Sequence, residues 1–99
     1  RQSDVVARFG GEEFVLLLPD TSHELALQCM ERISRSMSAE RWGKPEQSLP
    51  VTCSGGVSTF PSPRISSATS LIKAADEALY IAKRAGRNRI ISAELRNGL

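Results

Sequence analysis

The segment at residues 10–14 reads Gly-Gly-Glu-Glu-Phe and lies between two apolar runs, Val5–Phe9 and Phe14–Leu18. This pattern predicts two strands joined by a tight acidic turn, and runs that are apolar nearly throughout are typical of strands buried on both faces. Glycines allow a turn to approach a bulky anion, and adjoining carboxylates can hold a hard divalent cation. The turn therefore indicates metal-assisted chemistry on a phosphate. The plainer alternative is a surface hairpin with solvated glutamates.

The middle of the chain predicts a helix, a loop and a strand. Thr21 and Glu24 form a capping-box pattern before apolar residues at helical spacing. Residues 38–50 predict a loop with a short strand pair near Trp42. Residues 51–60 predict a strand, in which the pair Gly55-Gly56 indicates close approach by a neighbouring element. The apolar face of the first helix consists of Ala26, Cys29, Met30, Ile33 and Met37.

A second helix is predicted from about Thr69 to Ala85, with Gly86 suited to a left-handed C-cap. A last short strand is predicted at residues 89–92, and a frayed polar tail at residues 94–99. The inward residues of this helix are expected to be Leu71, Ile72, Ala75, Leu79 and Ala82.

Composition favours a soluble globular piece with one domain at most. The chain has 99 residues, of which 40% are hydrophobic and 24% charged, and its formal charge is +2. A nucleic-acid module is disfavoured because this charge is small and the aromatic residues are not interleaved with the basic cluster. The two cysteines, Cys29 and Cys53, are predicted to be structural thiols in a reducing compartment. His23 is expected to face solvent without a functional role.

The sequence RFGGEEF (residues 8–14) resembles the signature of GGDEF domains, the diguanylate cyclases that condense two GTP molecules into cyclic di-GMP. Three further segments fit this family in order: the Arg-x-x-Asp of Arg1 and Asp4, VTCSGGVST at 51–59, and AADEALYIAKRAGRN at 74–88. The resemblance begins partway through the domain. Residues 1–93 are therefore expected to be the C-terminal part of a GGDEF catalytic domain.

The resemblance implies an α+β fold of the ferredoxin-like, nucleotide-cyclase (palm-like) type. In this fold an antiparallel-rich sheet carries helices packed on it. The first strand, with its metal-binding Asp, and the helices that follow it are expected to be absent from this chain. The fragment alone is accordingly expected to be inactive.

The resemblance also implies the residues that carry the chemistry. Glu12 is expected to bind a metal, Mg²⁺ or Mn²⁺, and to accept the proton of the attacking hydroxyl, while Glu13 supports the metal site. Gly10 and Gly11 would let the backbone approach the substrate phosphates. The length of Glu12, which replaces the Asp of the family name, is compatible with activity.

Two basic residues near the end of the second helix, Lys83 and Arg87, are expected from the resemblance to bind the β- and γ-phosphates of GTP. They stand four apart, which predicts one helix face. The alternative is that both cations only complement the helix dipole.

The resemblance further implies product inhibition. Arg1 and Asp4 match the family's inhibitory site for cyclic di-GMP, to which Arg32 is expected to contribute. The enzyme is expected to work as a cytoplasmic homodimer, with any membrane anchor in the absent parent sequence. The alternative is a GGDEF domain without catalysis that senses GTP or cyclic di-GMP.

Overall fold

The computed structural model of the chain describes residues 4–43, 45–47 and 49–93, which leaves the predicted tail at residues 94–99 and Arg1 outside the described residues. Both predicted helices and the predicted strand pairs are present. The elements in chain order are β1 (Val5–Gly10), β2 (Glu13–Leu17), α1 (His23–Ala39), β3 (Arg41–Trp42), a 3-10 turn (Pro45–Gln47), β4 (Leu49–Pro50), β5 (Gly55–Val57), α2 (Ala68–Arg84) and β6 (Ile90–Ser92).

Strands β1 and β2 form the predicted hairpin, paired antiparallel with Gly10 opposite Glu13 and a register irregularity between Arg8 and Gly10. The prediction that both faces of these strands are buried is wrong for this structure. Both helices pack mainly on other strands, so apolar side chains of the hairpin remain exposed: Val5, Val6, Phe9, Phe14 and Leu17. The predicted strand pair near Trp42 is confirmed, since β3 and β4 are antiparallel partners.

Helix α1 begins one residue later than the predicted capping box. Ser22 is the N-cap, and its Oγ accepts a hydrogen bond from the Leu25 N–H at 3.2 Å. The Thr21 hydroxyl instead donates to the Pro19 carbonyl at 3.0 Å, which holds the turn before the helix. Ala26 is buried, and the remaining predicted apolar positions of this helix are half-buried. The amphipathic face was thus predicted correctly, and the cap was not.

His23, which was expected to face solvent, ties three elements together. Its Nδ1 lies 2.6 Å from the Thr59 hydroxyl, and its Nε2 lies 2.6 Å from the hydroxyl of Ser92. Ser92 is only 4% exposed, so its hydroxyl requires a partner within the protein. The imidazole therefore joins the start of α1 to the chain beyond β5 and to the end of β6.

Strands β5 and β6 are parallel partners connected through α2, and the Gly55 N–H donates to the Arg89 carbonyl at 3.0 Å. Parallel pairing needs such a crossover. Strand β5 is shorter than predicted, with three residues rather than residues 51–60. The core between α2 and these strands consists of Ile65, Ala74, Ala78 and Ala93, with Leu71 and Ile91 packed against it.

Helix α2 confirms four of the five predicted inward residues, since Ala82 is buried and Leu71, Ala75 and Leu79 are half-buried. Its buried residues are Ala74, Ala78 and Ala82, which recur every four positions along one side. Ile72 precedes Ala74 by two positions, about 200° around the helix, and is 45% exposed. The prediction that Ile72 points inward is therefore wrong.

The predicted close approach at the glycine pair is confirmed at Gly56. A Cβ atom there would overlap the Ala75 carbonyl oxygen and would lie 2.5 Å from the Leu79 nitrogen. Both are backbone atoms of α2, so the helix lies directly on the strand. A Cβ at Gly55 would instead meet the ends of two flexible side chains, Ile90 at 2.9 Å and Met30 at 3.1 Å.

A groove of about 490 Å³ separates β2 from β5, and its lining is mostly apolar. Within the described residues, the three strand pairs share no hydrogen-bonded ladder. No helix among the described residues has both the length and the apolar character needed to cross a membrane.

The contact at Gly56 makes a matched pair of substitutions informative. Gly56→Ala is expected to destabilise the domain by about 2–3 kcal/mol, because a helix backbone must move to admit the methyl group. Gly55→Ala is expected to cost less than about 1 kcal/mol, since side-chain ends can shift. The midpoint of thermal unfolding of the intact protein measures both. Equal losses for the two variants would contradict the assignment of Gly56 as the contact point.

Candidate functional site

The acidic turn is a two-residue loop, Gly11-Glu12, between paired Gly10 and Glu13. Gly10 has a φ of 138° and Gly11 a φ of 48°, values that favour glycine. A Cβ at either position would meet nothing within 4 Å, so one side of the turn is open. Glu12 is exposed and Glu13 is half-buried at the start of β2. The backbone of the turn at Gly10 and Gly11 is therefore open to a ligand.

Arg8 braces this turn from β1, a contact that sequence reasoning missed. Its Nε and Nη2 both donate to the Gly11 carbonyl, at 3.0 and 2.6 Å. The planar guanidinium fork restrains the turn at its glycine, where the backbone is most free. The available signal was the single charge in an otherwise apolar run, residues 5–9.

Helix α2 brings a cation to the same turn. Lys83 Nζ lies 3.3 Å from Glu13 Oε2, although the two residues are 70 positions apart in the chain. Ala75, Leu79 and Lys83 follow one another at intervals of four, which places them along one side of the helix. Because the backbone at Ala75 and Leu79 rests on Gly56, the same side carries Lys83 to the start of β2.

Arg87 does not share a helix face with Lys83, which corrects the prediction. Helix α2 ends at Arg84, and Gly86 has the predicted left-handed φ, at 121°. The Arg87 N–H then donates to the Ala82 carbonyl at 2.9 Å, the 6→1 bond of a Schellman motif. This bond turns the chain away from the helix axis. Among the described residues, Lys83 forms an ion pair with the turn and Arg87 does not.

Asp4, one of the residues predicted for an inhibitory site, lies away from the acidic turn. Asp4 is half-buried and immediately precedes β1, so the length of an extended strand places it about 20 Å from Gly10. Arg32 is exposed on α1, and Arg1 lies outside the described residues. The structure thus separates Asp4 from the acidic turn by the length of one strand.

The donor set of the turn suits a hard cation. Mg²⁺ prefers oxygen ligands and is commonly bound by one or two carboxylates together with substrate phosphates. Glu12 and Glu13 provide two adjacent carboxylates of this kind. Within the described residues, no group of three or more His, Cys, Asp or Glu side chains gathers around a common point. Two carboxylates alone would supply only part of the coordination shell of such a cation.

Both cysteines are free thiols in half-buried positions, as predicted for structural residues. Burial raises the pKa of the Cys53 thiol above its ordinary value, and a hydrogen bond with Ser34 only partly offsets this. Since the thiolate is the reactive form, this shift in pKa lowers the reactivity of Cys53.

The family described as "Diguanylate cyclase, GGDEF domain" matches residues 1–89 of the chain. The chain belongs to the GGDEF family. The predicted α+β fold agrees with this, because the chain is similar to the crystal structure of the GGDEF domain of DgcB from Caulobacter crescentus in complex with c-di-GMP. The TM-score is 0.80 at 30% identity, over 95% of this chain and 56% of that chain.

Relatives of this GGDEF chain are named as enzymes. It is 46% identical over 90 residues to diguanylate cyclase DgcP of Pseudomonas aeruginosa, covering 91% of this chain and 13% of that protein. It is 40% identical over 90 residues to diguanylate cyclase A of Treponema denticola, covering 91% of this chain and 24% of that protein. The GGDEF chain thus spans less than a quarter of either relative.

Removal of the arginine brace should loosen the GGDEF turn. In Arg8→Ala, the loss of two donors to the Gly11 carbonyl is expected to speed amide hydrogen exchange in the peptide covering residues 8–15 by about three- to tenfold. Mass spectrometry of the intact protein measures this. Arg64→Ala, which removes another exposed arginine, serves as the control and should leave that peptide unchanged. Unchanged exchange in Arg8→Ala would show that the turn holds its conformation without the brace.

Proposed function

We propose that the protein containing this chain is a diguanylate cyclase, which joins two GTP molecules into cyclic di-GMP and releases two pyrophosphates. The observation that carries the proposal is the pair formed by Lys83 and Glu13 at 3.3 Å. Through this pair, the acidic turn of the family signature lies in one site with a side-chain cation that can bind phosphate. The diguanylate cyclases among the relatives support the same reaction.

The reaction is an in-line displacement carried out twice. In each condensation the 3′-hydroxyl of one GTP forms a bond to the α-phosphorus of the other, and the bond from that phosphorus to the pyrophosphate oxygen breaks. The exposed carboxylate of Glu12 accepts the hydroxyl proton. Bound Mg²⁺ or Mn²⁺ supplies Lewis-acid stabilisation of the attacking and leaving oxygens.

The remaining residues of the site position the nucleotide. Glu12 and Glu13 hold the metal, and the open backbone at Gly10 and Gly11 admits the phosphates. Lys83 and Arg87 bind the β- and γ-phosphates, with Arg87 reaching them from the loop after α2. Residues 1–93 form the C-terminal part of the GGDEF catalytic domain, and the remainder of the domain completes the guanine pocket and the metal site.

The product contains two nucleotides, so each copy of the domain presents one GTP to the other across a homodimer. Cyclic di-GMP then inhibits the enzyme by binding to Arg1, Asp4 and Arg32. Arginine is suited to this role because its planar fork binds phosphate in a bidentate manner. The position of Asp4 at the far end of β1 supports an inhibitory site apart from the acidic turn.

Turnover of GTP to cyclic di-GMP with Mg²⁺, measured on the intact protein, tests the proposal. Glu12→Ala is expected to lower kcat by at least about 10³-fold, because metal binding and proton acceptance are lost together. Arg1→Ala is expected to retain kcat and to resist inhibition by added cyclic di-GMP. Glu24→Ala, which changes an exposed glutamate on α1, is the control and should behave as the unmodified protein.

Two outcomes would contradict the proposal. Full activity in Glu12→Ala would show that the reaction does not require the Glu12 carboxylate. Tight binding of GTP or cyclic di-GMP without turnover by the unmodified protein would show that the domain is a nucleotide sensor rather than an enzyme.

A further inference from the structure

The ion pair between Lys83 and Glu13 joins two groups that the proposed function assigns to different ligands. Lys83 Nζ contacts Glu13 Oε2 at 3.3 Å. The proposed function requires Lys83 to bind phosphate oxygens and Glu13 to bind a divalent cation. Each side chain therefore has a partner of opposite charge within the protein that competes with its ligand.

We infer that Lys83 and Glu13 form an exchangeable pair, which opens when nucleotide and metal bind and which makes their binding cooperative. This inference rests on the proposed function, since it concerns the same site. The inference adds that Lys83 and Glu13 neutralise each other when no ligand is bound. Each ligand then assists the binding of the other by opening this ion pair.

The cooperativity follows from the charges. A cation that binds alone must displace the Lys83 ammonium from Glu13 and then lies beside a positive charge. A nucleotide that binds alone must remove Lys83 from Glu13 and then places its phosphates beside an unneutralised carboxylate. When both bind, the pair opens only once, and each residue gains a partner of opposite charge. The free energy needed to open the ion pair is thus shared by the two ligands. It is a coupling free energy, and it changes the affinity for each ligand by the same factor.

The exposure of the pair suits exchange rather than permanent closure. The Lys83 side chain is 28% exposed and that of Glu13 is 40% exposed, so water weakens their attraction. Ion pairs of this kind contribute little to stability, and ligands of higher charge can displace either member. The next residue on α2 behaves differently, because Arg84 Nη1 donates to the Tyr80 hydroxyl at 3.0 Å and its guanidinium lies 5.7 Å from that ring.

Arg84 therefore provides a control that removes one positive charge from the adjacent position of α2 without touching the pair. The experiment compares Lys83→Met with Arg84→Gln in the intact protein. It uses physiological ionic strength, at which salt screens the long-range electrostatic effect of removing a charge. Mn²⁺ is titrated without nucleotide and followed by electron paramagnetic resonance. Mn²⁺ that remains bound in the double variant Glu12→Gln/Glu13→Gln is subtracted as background.

Lys83→Met is expected to tighten Mn²⁺ binding by about two- to fivefold, because Glu13 loses its competing partner. Arg84→Gln is expected to change Mn²⁺ binding by less than about 1.5-fold, since its charge is farther from Glu13. Equal effects of the two variants, or weaker Mn²⁺ binding in Lys83→Met, would overturn the inference.

The reciprocal experiment uses GTP in the presence of a chelator. Glu13→Gln is expected to tighten metal-free GTP binding by about two- to fivefold, because Lys83 is released to the phosphates. Glu77→Gln, which neutralises an exposed carboxylate on α2, is the control and should leave GTP binding unchanged. Weaker binding of metal-free GTP to Glu13→Gln would overturn the inference that Lys83 and Glu13 form an exchangeable pair.

Failure of the exchange and failure of the proposed function give different results. Turnover of GTP by the unmodified protein, without tighter Mn²⁺ binding in Lys83→Met, would reject the exchange and leave the cyclase. Tighter Mn²⁺ binding in Lys83→Met, without any turnover by the unmodified protein, would support the exchange and reject the cyclase.

Discussion

The backbone contact between α2 and Gly56 is the constraint on which the site depends. A helix can lie this close to a strand only where the strand has no side chain and the helix presents small residues. Gly56 meets the α2 backbone at Ala75 and Leu79, and one more helical step along that side reaches Lys83. The depth of this packing therefore determines how near the lysine ammonium comes to Glu13.

The site unites the two ends of the described chain. The hairpin contributes the glutamates, and the end of α2 contributes the cation, across 70 positions of sequence. Each part is held locally, since Arg8 bonds to the Gly11 carbonyl and a Schellman motif around Gly86 ends the helix. The ion pair thus joins two elements, each of which is restrained by its own local hydrogen bonds.

Local sequence signals predicted most of the helices and strands. Errors arose where two neighbouring residues could serve the same structural role. Ser22 and Thr21 are both good caps, and only the path of the chain after Pro19 gives the cap to Ser22. A spacing of four suggested one helix face for Lys83 and Arg87, yet the helix ends between them. The hydrogen bonds of His23 to residues 36 and 69 positions away had no signal within the sequence.

The sequence by itself determined the acidic hairpin, the two amphipathic helices and the close approach at Gly56, because turn glycines and apolar spacing act over a few residues. It also contained the family signature, and with it the proposed roles of Glu12 and Glu13. Only the tertiary structure decided that Lys83 pairs with Glu13 and that Arg87 lies beyond the helix. Contacts of this kind depend on how deeply and at what rotation a helix packs, and packing is set by the whole core rather than by local sequence.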